Sequence, residues 1–109
     1  MKLKYVMKFV ADMNEAVAFH RDVLGLTLRF QTPEWTEFDT GETMLALHPS
    51  SPGYPPGSIQ LGFNTADLDG FYGARDKNGV TFVMPPTPLH GTTIARFLDS
   101  EGAETSVGR

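Results

Sequence analysis

The chain has 109 residues, 40% of them hydrophobic and 20% charged, with 9 Lys+Arg against 13 Asp+Glu and no cysteine. Enough apolar material is present to offset the ordering entropy of a small folded domain, so wholesale disorder is excluded. The net charge of −4 argues against nucleic acid, which is held by clustered positive charge, and the missing cysteines exclude disulfides, thiolate nucleophiles and Cys-ligated zinc.

Met1-Lys2-Leu3-Lys4 runs into strand-like alternation instead of the apolar stretch of a secretion signal, so a cytoplasmic location is expected. Residues 5–10 predict a strand, and Asp12 is placed to cap a helix by accepting a backbone N–H. Met13, Val17, Phe19 or His20, Val23 and Leu24 then recur at helical spacing until Gly25 ends the helix. Strands are expected at 26–30, 35–39 and 43–48, with a turn at Thr40-Gly41. Residues 49–57, rich in Pro, Gly and Ser, have the composition of a linker, and Pro49, Pro52, Pro55 and Pro56 deny the long uncharged stretch around them a membrane-spanning helix. Beyond it the same order returns. Residues 59–65 predict a strand, Asp67 a cap, and Leu68, Phe71, Tyr72 and Ala74 a short helix closed by Gly79. Strands follow at 80–84, 93–98 and 103–107, with residues 85–91 as a loop and Ser100-Glu101-Gly102 as a turn.

The chain repeats itself. Ala11-Asp12-Met13 recurs as Ala66-Asp67-Leu68, Arg21-Asp22 as Arg75-Asp76, Gly25-Leu26 as Gly79-Val80, and Phe38-Asp39-Thr40-Gly41 more loosely as Leu98-Asp99-Ser100-Glu101-Gly102. Ordered matches of this kind indicate two copies of one βαβββ module, residues 1–49 and 58–109, joined by the linker into a single domain over 1–109. A module of about fifty residues buries too little surface alone, so two must pair, within the chain or between chains.

The phrases "VADMNEAVAFHRDVLGL", "WTEFDTG", "LALHP", "ADLDGFYGARDKNGV" and "ARFLDSEG" resemble the vicinal oxygen chelate superfamily, which groups glyoxalase I, bleomycin-resistance proteins and extradiol dioxygenases. The resemblance covers essentially the whole chain. It implies an α+β fold in which two βαβββ modules form a curled mixed sheet around a groove, and, for short two-module members, a homodimer. In the family's metalloenzymes the ligands come from the first and last strands of both modules. Carried over, those positions fall on Tyr5, Ala46, Gln60 and Ser106. A divalent ion wants imidazole or carboxylate at such points, and none of the four supplies one. No metal residues and no cofactor are therefore expected, though a divalent metal at other positions stays open.

Alternation along a strand puts Met44 and His48 on the face of Ala46. His48 is read either as a displaced ligand or proton-transfer group, or as a strand-edge histidine satisfied by backbone or water before Pro49. His20 is expected on the helix surface, and His90, in the loop 85–91, borders the groove mouth if the resemblance holds. Either Trp35 and Glu37 or Thr36 and Phe38 face the groove; the former pair would give it an aromatic wall and a carboxylate suited to a planar or cationic ligand. Tyr5 and Met7 would add an adaptable lining, although Met7 and Phe9 serve a core equally well. No phosphate-binding loop, nucleophile elbow or His-Glu-x-x-His is present. The candidate groove residues are thus Tyr5, Met7, Trp35, Glu37, Ala46, His48, Gln60, His90 and Ser106, with no catalytic residue assigned. The expected function is binding of a small molecule without the family metal, with no nucleic-acid or membrane partner. The alternatives are a metal-dependent lyase or dioxygenase rearranged around His48, or an interaction module whose groove is filled by its own side chains.

Overall fold

A computed structural model describes all of residues 1–109. It divides into two compact units, Lys4–Ile59 and Gln60–Arg109 together with Met1–Leu3. No helix is long and apolar enough to cross a membrane.

The first unit holds β1 (Lys2–Val10), α1 (Met13–Ala18), a π-helical turn (Phe19–Val23), β2 (Thr27–Gln31), β3 (Thr36–Asp39) and β4 (Met44–Pro49). Its strands lie in the order β2-β3-β4-β1, with β1 parallel to β4 and the other pairs antiparallel. The second unit repeats this with β5 (Ile59–Asn64), α2 (Leu68–Gly73), α3 (Arg75–Asn78), β6 (Phe82–Leu89), β7 (Thr92–Leu98) and β8 (Glu104–Gly108), in the order β5-β8-β7-β6 with β5 parallel to β8. Each unit is therefore βαβββ, as the repeat implies. The equivalence reaches individual residues. Asp12 and Asp67 both cap their helices, accepting from Glu15 N at 3.0 Å and Gly70 N at 2.9 Å, and Gly25 and Gly79 both take positive φ, 71° and 68°, where a side chain would be strained. Met7 stands in register with Ala46 as Gly62 does with Ser106.

Each sheet buries one face under its helix. In the first unit Val10, Val17, Phe38 and Leu47 pack with Met13, Ala16 and Leu28; in the second, Leu68, Ala95 and Val107 pack with Phe63, Phe71, Phe82 and Phe97.

Three expectations need correction. The first helix does not run as one α-helix to Leu24: a π turn comes after Ala18, closed by Leu24 N–H to Phe19 O at 3.2 Å. Within this turn Phe19, Val23 and Leu24 are exposed and His20, expected on the surface, is buried on the side of Ala16 and Val17. Its Nδ1–H donates to Ala16 O at 2.7 Å, and its ring lies 5.7 Å from that of Phe38. Second, residues 85–89 are strand, not loop. Pro85, Pro86 and Pro88 are tolerated because β6 is the outer strand of its unit's order and its register shifts twice beside β7. Third, residues 49–57 are ordered structure of the first unit. Ser50 N–H bonds Val10 O, Gly57 N–H bonds Phe9 O, Phe9 N–H bonds Ser58 O, and Ser51 and Tyr54 bond each other through both main-chain pairs.

Candidate functional site

The face of the first sheet turned away from α1 carries most of the candidates. Alternation of side chains, with Thr36 and Phe38 directed to the helix side, leaves Trp35 and Glu37 on the other face, and the parallel register of β1 and β4 brings Tyr5, Met7 and Phe9 beside Ala46 and His48. Met7, Phe9 and Ala46 form a buried cluster against which Tyr5, Trp35 and Tyr54 pack. The rings interlock edge to face: Tyr5 to Trp35 at 5.4 Å, Trp35 to His48 at 6.4 Å and Phe9 to His48 at 5.3 Å between centroids. Phe9 and Tyr54 instead stack, 4.4 Å apart and 17° from parallel.

The polar groups on this face are already engaged. Trp35 donates Nε1–H to Glu37 Oε2 at 2.8 Å, while Arg29 Nη1 lies 3.6 Å from Glu37 Oε1 and 3.6 Å from Met44 Sδ. Glu37 is thus a half-buried carboxylate that holds the indole plane and faces the Arg29 guanidinium. His48 Nδ1 is 2.8 Å from Pro49 O. A carbonyl only accepts, so Nδ1 carries the proton in this contact.

In the second unit Gln60 and Ser106 are buried and in contact, with Gln60 Nε2 donating to Ser106 Oγ at 3.4 Å. Arg96 is the cross-strand partner of Ser106 on the same face, and its Nη1 lies 3.6 Å from Glu104 Oε1. His90 stands apart from these groups. With Gly91 it forms the two-residue tip of the β6–β7 hairpin, both at positive φ, beside Thr92 and Arg109.

Tyr5, Met7, Trp35, Glu37, Ala46 and His48 are therefore brought together, Gln60 and Ser106 meet each other, and His90 joins neither group. Sequence reasoning missed Tyr54, hidden in a stretch of linker composition; the one signal was an aromatic residue among prolines and glycines. Arg29 was also missed, because a bulge between Leu28 and Phe30 sets its facing.

The donor set does not fit a divalent metal at the positions the family uses. Tyr5 offers a phenol, Ala46 a methyl group, Gln60 an amide and Ser106 a hydroxyl, and nowhere do three His, Asp or Glu side chains gather in a metal-holding arrangement. His48 Nε2 alone is one donor and not a site.

The same geometry recurs among known proteins. A sequence model of the Glyoxalase/Bleomycin resistance protein/Dioxygenase superfamily matches residues 2–107, and the chain belongs to that superfamily. Comparison with curated protein sequences gives no match. Among solved structures, methylmalonyl-CoA epimerase from Mycobacterium tuberculosis is similar at 21% identity, with 98% of this chain and 86% of that one aligned and a TM-score of 0.77. A variant methylmalonyl-CoA epimerase from Streptomyces coelicolor, in complex with 2-nitronate-propionyl-CoA, aligns over 99% and 96% of the two chains at 20% identity and a TM-score of 0.77. A superfamily member from Vibrio splendidus 12B01 aligns over 95% of each chain at 15% identity and a TM-score of 0.73. At these identities the likeness establishes the fold.

Proposed function

We propose that this superfamily member binds a small planar molecule without the family's metal, on the aromatic face built from Tyr5, Phe9, Trp35 and His48. The observation that carries the reading is the pairing of that face with four family ligand positions that hold neither imidazole nor carboxylate. Edge-on rings with the imidazole edge of His48 offer stacking surface and a polar edge for a hydrogen bond, which is what binding needs and what metal-assisted chemistry does not. Because Glu37 is already paired with Arg29 and Trp35, the ligand is neutral at this face, or cationic through the chain's overall acidity, in preference to anionic.

A thermal-shift screen tests this with three arms: planar aromatic metabolites, cationic aromatic antibiotics, and acyl-CoA thioesters, the last because methylmalonyl-CoA epimerases share the fold. A ligand at a hundredfold excess over its Kd stabilises by about 2.7 kcal/mol, a rise on the order of 10 °C for a domain of this size. Stabilisation by an aromatic class, weakened by Trp35→Ala, is the expected result; stabilisation by none of the arms overturns the reading. The reading includes a homodimer, supported by the exposed Phe19, Val23, Leu24 and Phe30 of the first unit, and sedimentation at micromolar concentration should give the mass of two chains.

A further inference from the structure

We infer that Arg96 and Ser106, backed by Gln60, form a binding site for a small carboxylate on the face of the second unit's sheet turned away from α2. The inference stands independently of the reading above, which concerns the first unit, and it assigns a different class of ligand.

Alternation along the strands builds the site. Ala95 and Val107 point to the helix side, where they pack with Leu68, so their neighbours Arg96 and Ser106 point to the other side, and the antiparallel register of β7 and β8 sets these two directly across from each other. Gln60 reaches the same face from β5, and its Nε2–H occupies a lone pair of Ser106 Oγ at 3.4 Å. The hydroxyl proton of Ser106 is thereby left to serve another acceptor. Gln60 and Ser106 are each 5% exposed, so packing fixes this wall in advance of any ligand. The Arg96 side chain, 44% exposed, is reached from solvent.

Among the arginines Arg96 is the uncommitted one. Arg21 donates to Asp22, Arg29 to Met44 Sδ, Arg75 to Tyr72 O and Arg109 to Asp69. Arg96 has only Glu104, whose Oε1 lies 3.6 Å from its Nη1, an ion pair too long for a hydrogen bond. Its planar fork of five N–H donors matches the two oxygens of a carboxylate. Charge narrows the class further. One guanidinium beside the Glu104 carboxylate, on a chain of net charge −4, balances a single negative charge and not two, which favours a carboxylate over phosphate. Glu104 is then the internal competitor, and a part-exposed pair of this kind is weak enough for an incoming carboxylate to exchange with it.

The test titrates the full chain with propionate at constant ionic strength, with propionamide as the uncharged counterpart of the same shape. The Arg96 Nε–H and Gln60 side-chain amide resonances report binding, the Gln60 amide alone where Arg96 is replaced. Propionate is expected to shift both resonances saturably, and propionamide to shift neither. Arg96→Gln should weaken binding at least about tenfold, and Ser106→Ala about three- to tenfold. Arg96→Lys keeps the charge without the fork and should fall between the wild type and Arg96→Gln. Glu104→Gln removes the competitor and should tighten binding about two- to fivefold, a gain that damage to the fold would not produce. An equal response to propionamide, unchanged affinity in Arg96→Gln, no gain in Glu104→Gln, or tighter binding of inorganic phosphate than of propionate overturns the inference.

Discussion

The indole N–H of Trp35 donates to Glu37 Oε2 at 2.8 Å, joining two residues on the same face of one strand. The bond settles how both side chains act. One Glu37 oxygen is committed to the indole, and Trp35 cannot swing without leaving a half-buried carboxylate short of a partner. Trp35→Phe keeps most of the packing and removes only the donor, so it should cost about 1 kcal/mol. Glu37→Gln keeps an oxygen for the indole and loses only the 3.6 Å pairing with Arg29, which is partly exposed and costs about 0.5 kcal/mol or less. Urea unfolding midpoints at unchanged slope measure both; the ordering fails if Glu37→Gln is the more damaging.

Helical spacing leaves either Phe19 or His20 for the buried face, and the structure buries His20. Within the π turn His20 is 8% exposed and bonded to Ala16 O, while Phe19 is 49% exposed. His20→Ala loses buried ring packing against Phe38 and a hydrogen bond, so about 2–3 kcal/mol is expected. Phe19→Ala should cost about 0.5 kcal/mol, as at other surface positions. Thermal or urea unfolding of the two variants side by side decides the matter, and a larger loss at Phe19 would overturn the burial of His20.

The choice between Phe19 and His20 marks where sequence reading works and where it stops. The duplicated caps, Asp12 and Asp67, and the closing glycines, Gly25 and Gly79, were legible because each answers a local backbone need that few residue types meet. The alternation placing Trp35 opposite Phe38 was legible only as two options, since a strand's pattern does not say which face a helix will cover. The π turn was not legible at all: nothing in its five residues signals an extra main-chain step. The prolines of β6 misled for a related reason. They break interior strands but not outer ones, and strand order is a property of the whole unit. Most of the aromatic face could be assembled from alternation along β1, β3 and β4, whereas Tyr54 could not, because composition alone marks its segment as a linker.

The cap at Asp67 offers a test of coupling. A Cβ added at Gly70 would run into the Asp67 carboxylate, standing 2.7 Å from its Cγ, so an alanine there must push the capping side chain away from Gly70 N–H. The helix preference for Ala over Gly, about 1 kcal/mol, is then offset by loss of a cap of about the same size. Gly70→Ala alone should leave stability within about 0.5 kcal/mol of the wild type, and Asp67→Ala should lower it by about 1 kcal/mol. In the Asp67→Ala background the same Gly70→Ala change should stabilise by about 0.5–1 kcal/mol. Strict additivity in this double-mutant cycle would show that the side chain adjusts without losing its bond.

The proposed absence of the family's metal is open to direct test. A structural or catalytic divalent ion bound by the native state and not the unfolded chain would raise stability by about 2.7 kcal/mol at a hundredfold excess over its Kd, on the order of 10 °C in Tm. Tyr5, Ala46, Gln60 and Ser106 cannot supply that affinity, and His48 Nε2 is a single donor whose nearest carboxylate on the same face, Glu37, is held by Trp35 and Arg29. Protein prepared without chelator should therefore melt at the same temperature, within about 1 °C, before and after EDTA treatment and on addition of zinc, nickel, manganese or iron(II). Metal content by mass spectrometry should be far below one ion per chain. A near-stoichiometric ion that His48→Ala abolishes would refute this and move the chemistry to a site organised around that imidazole.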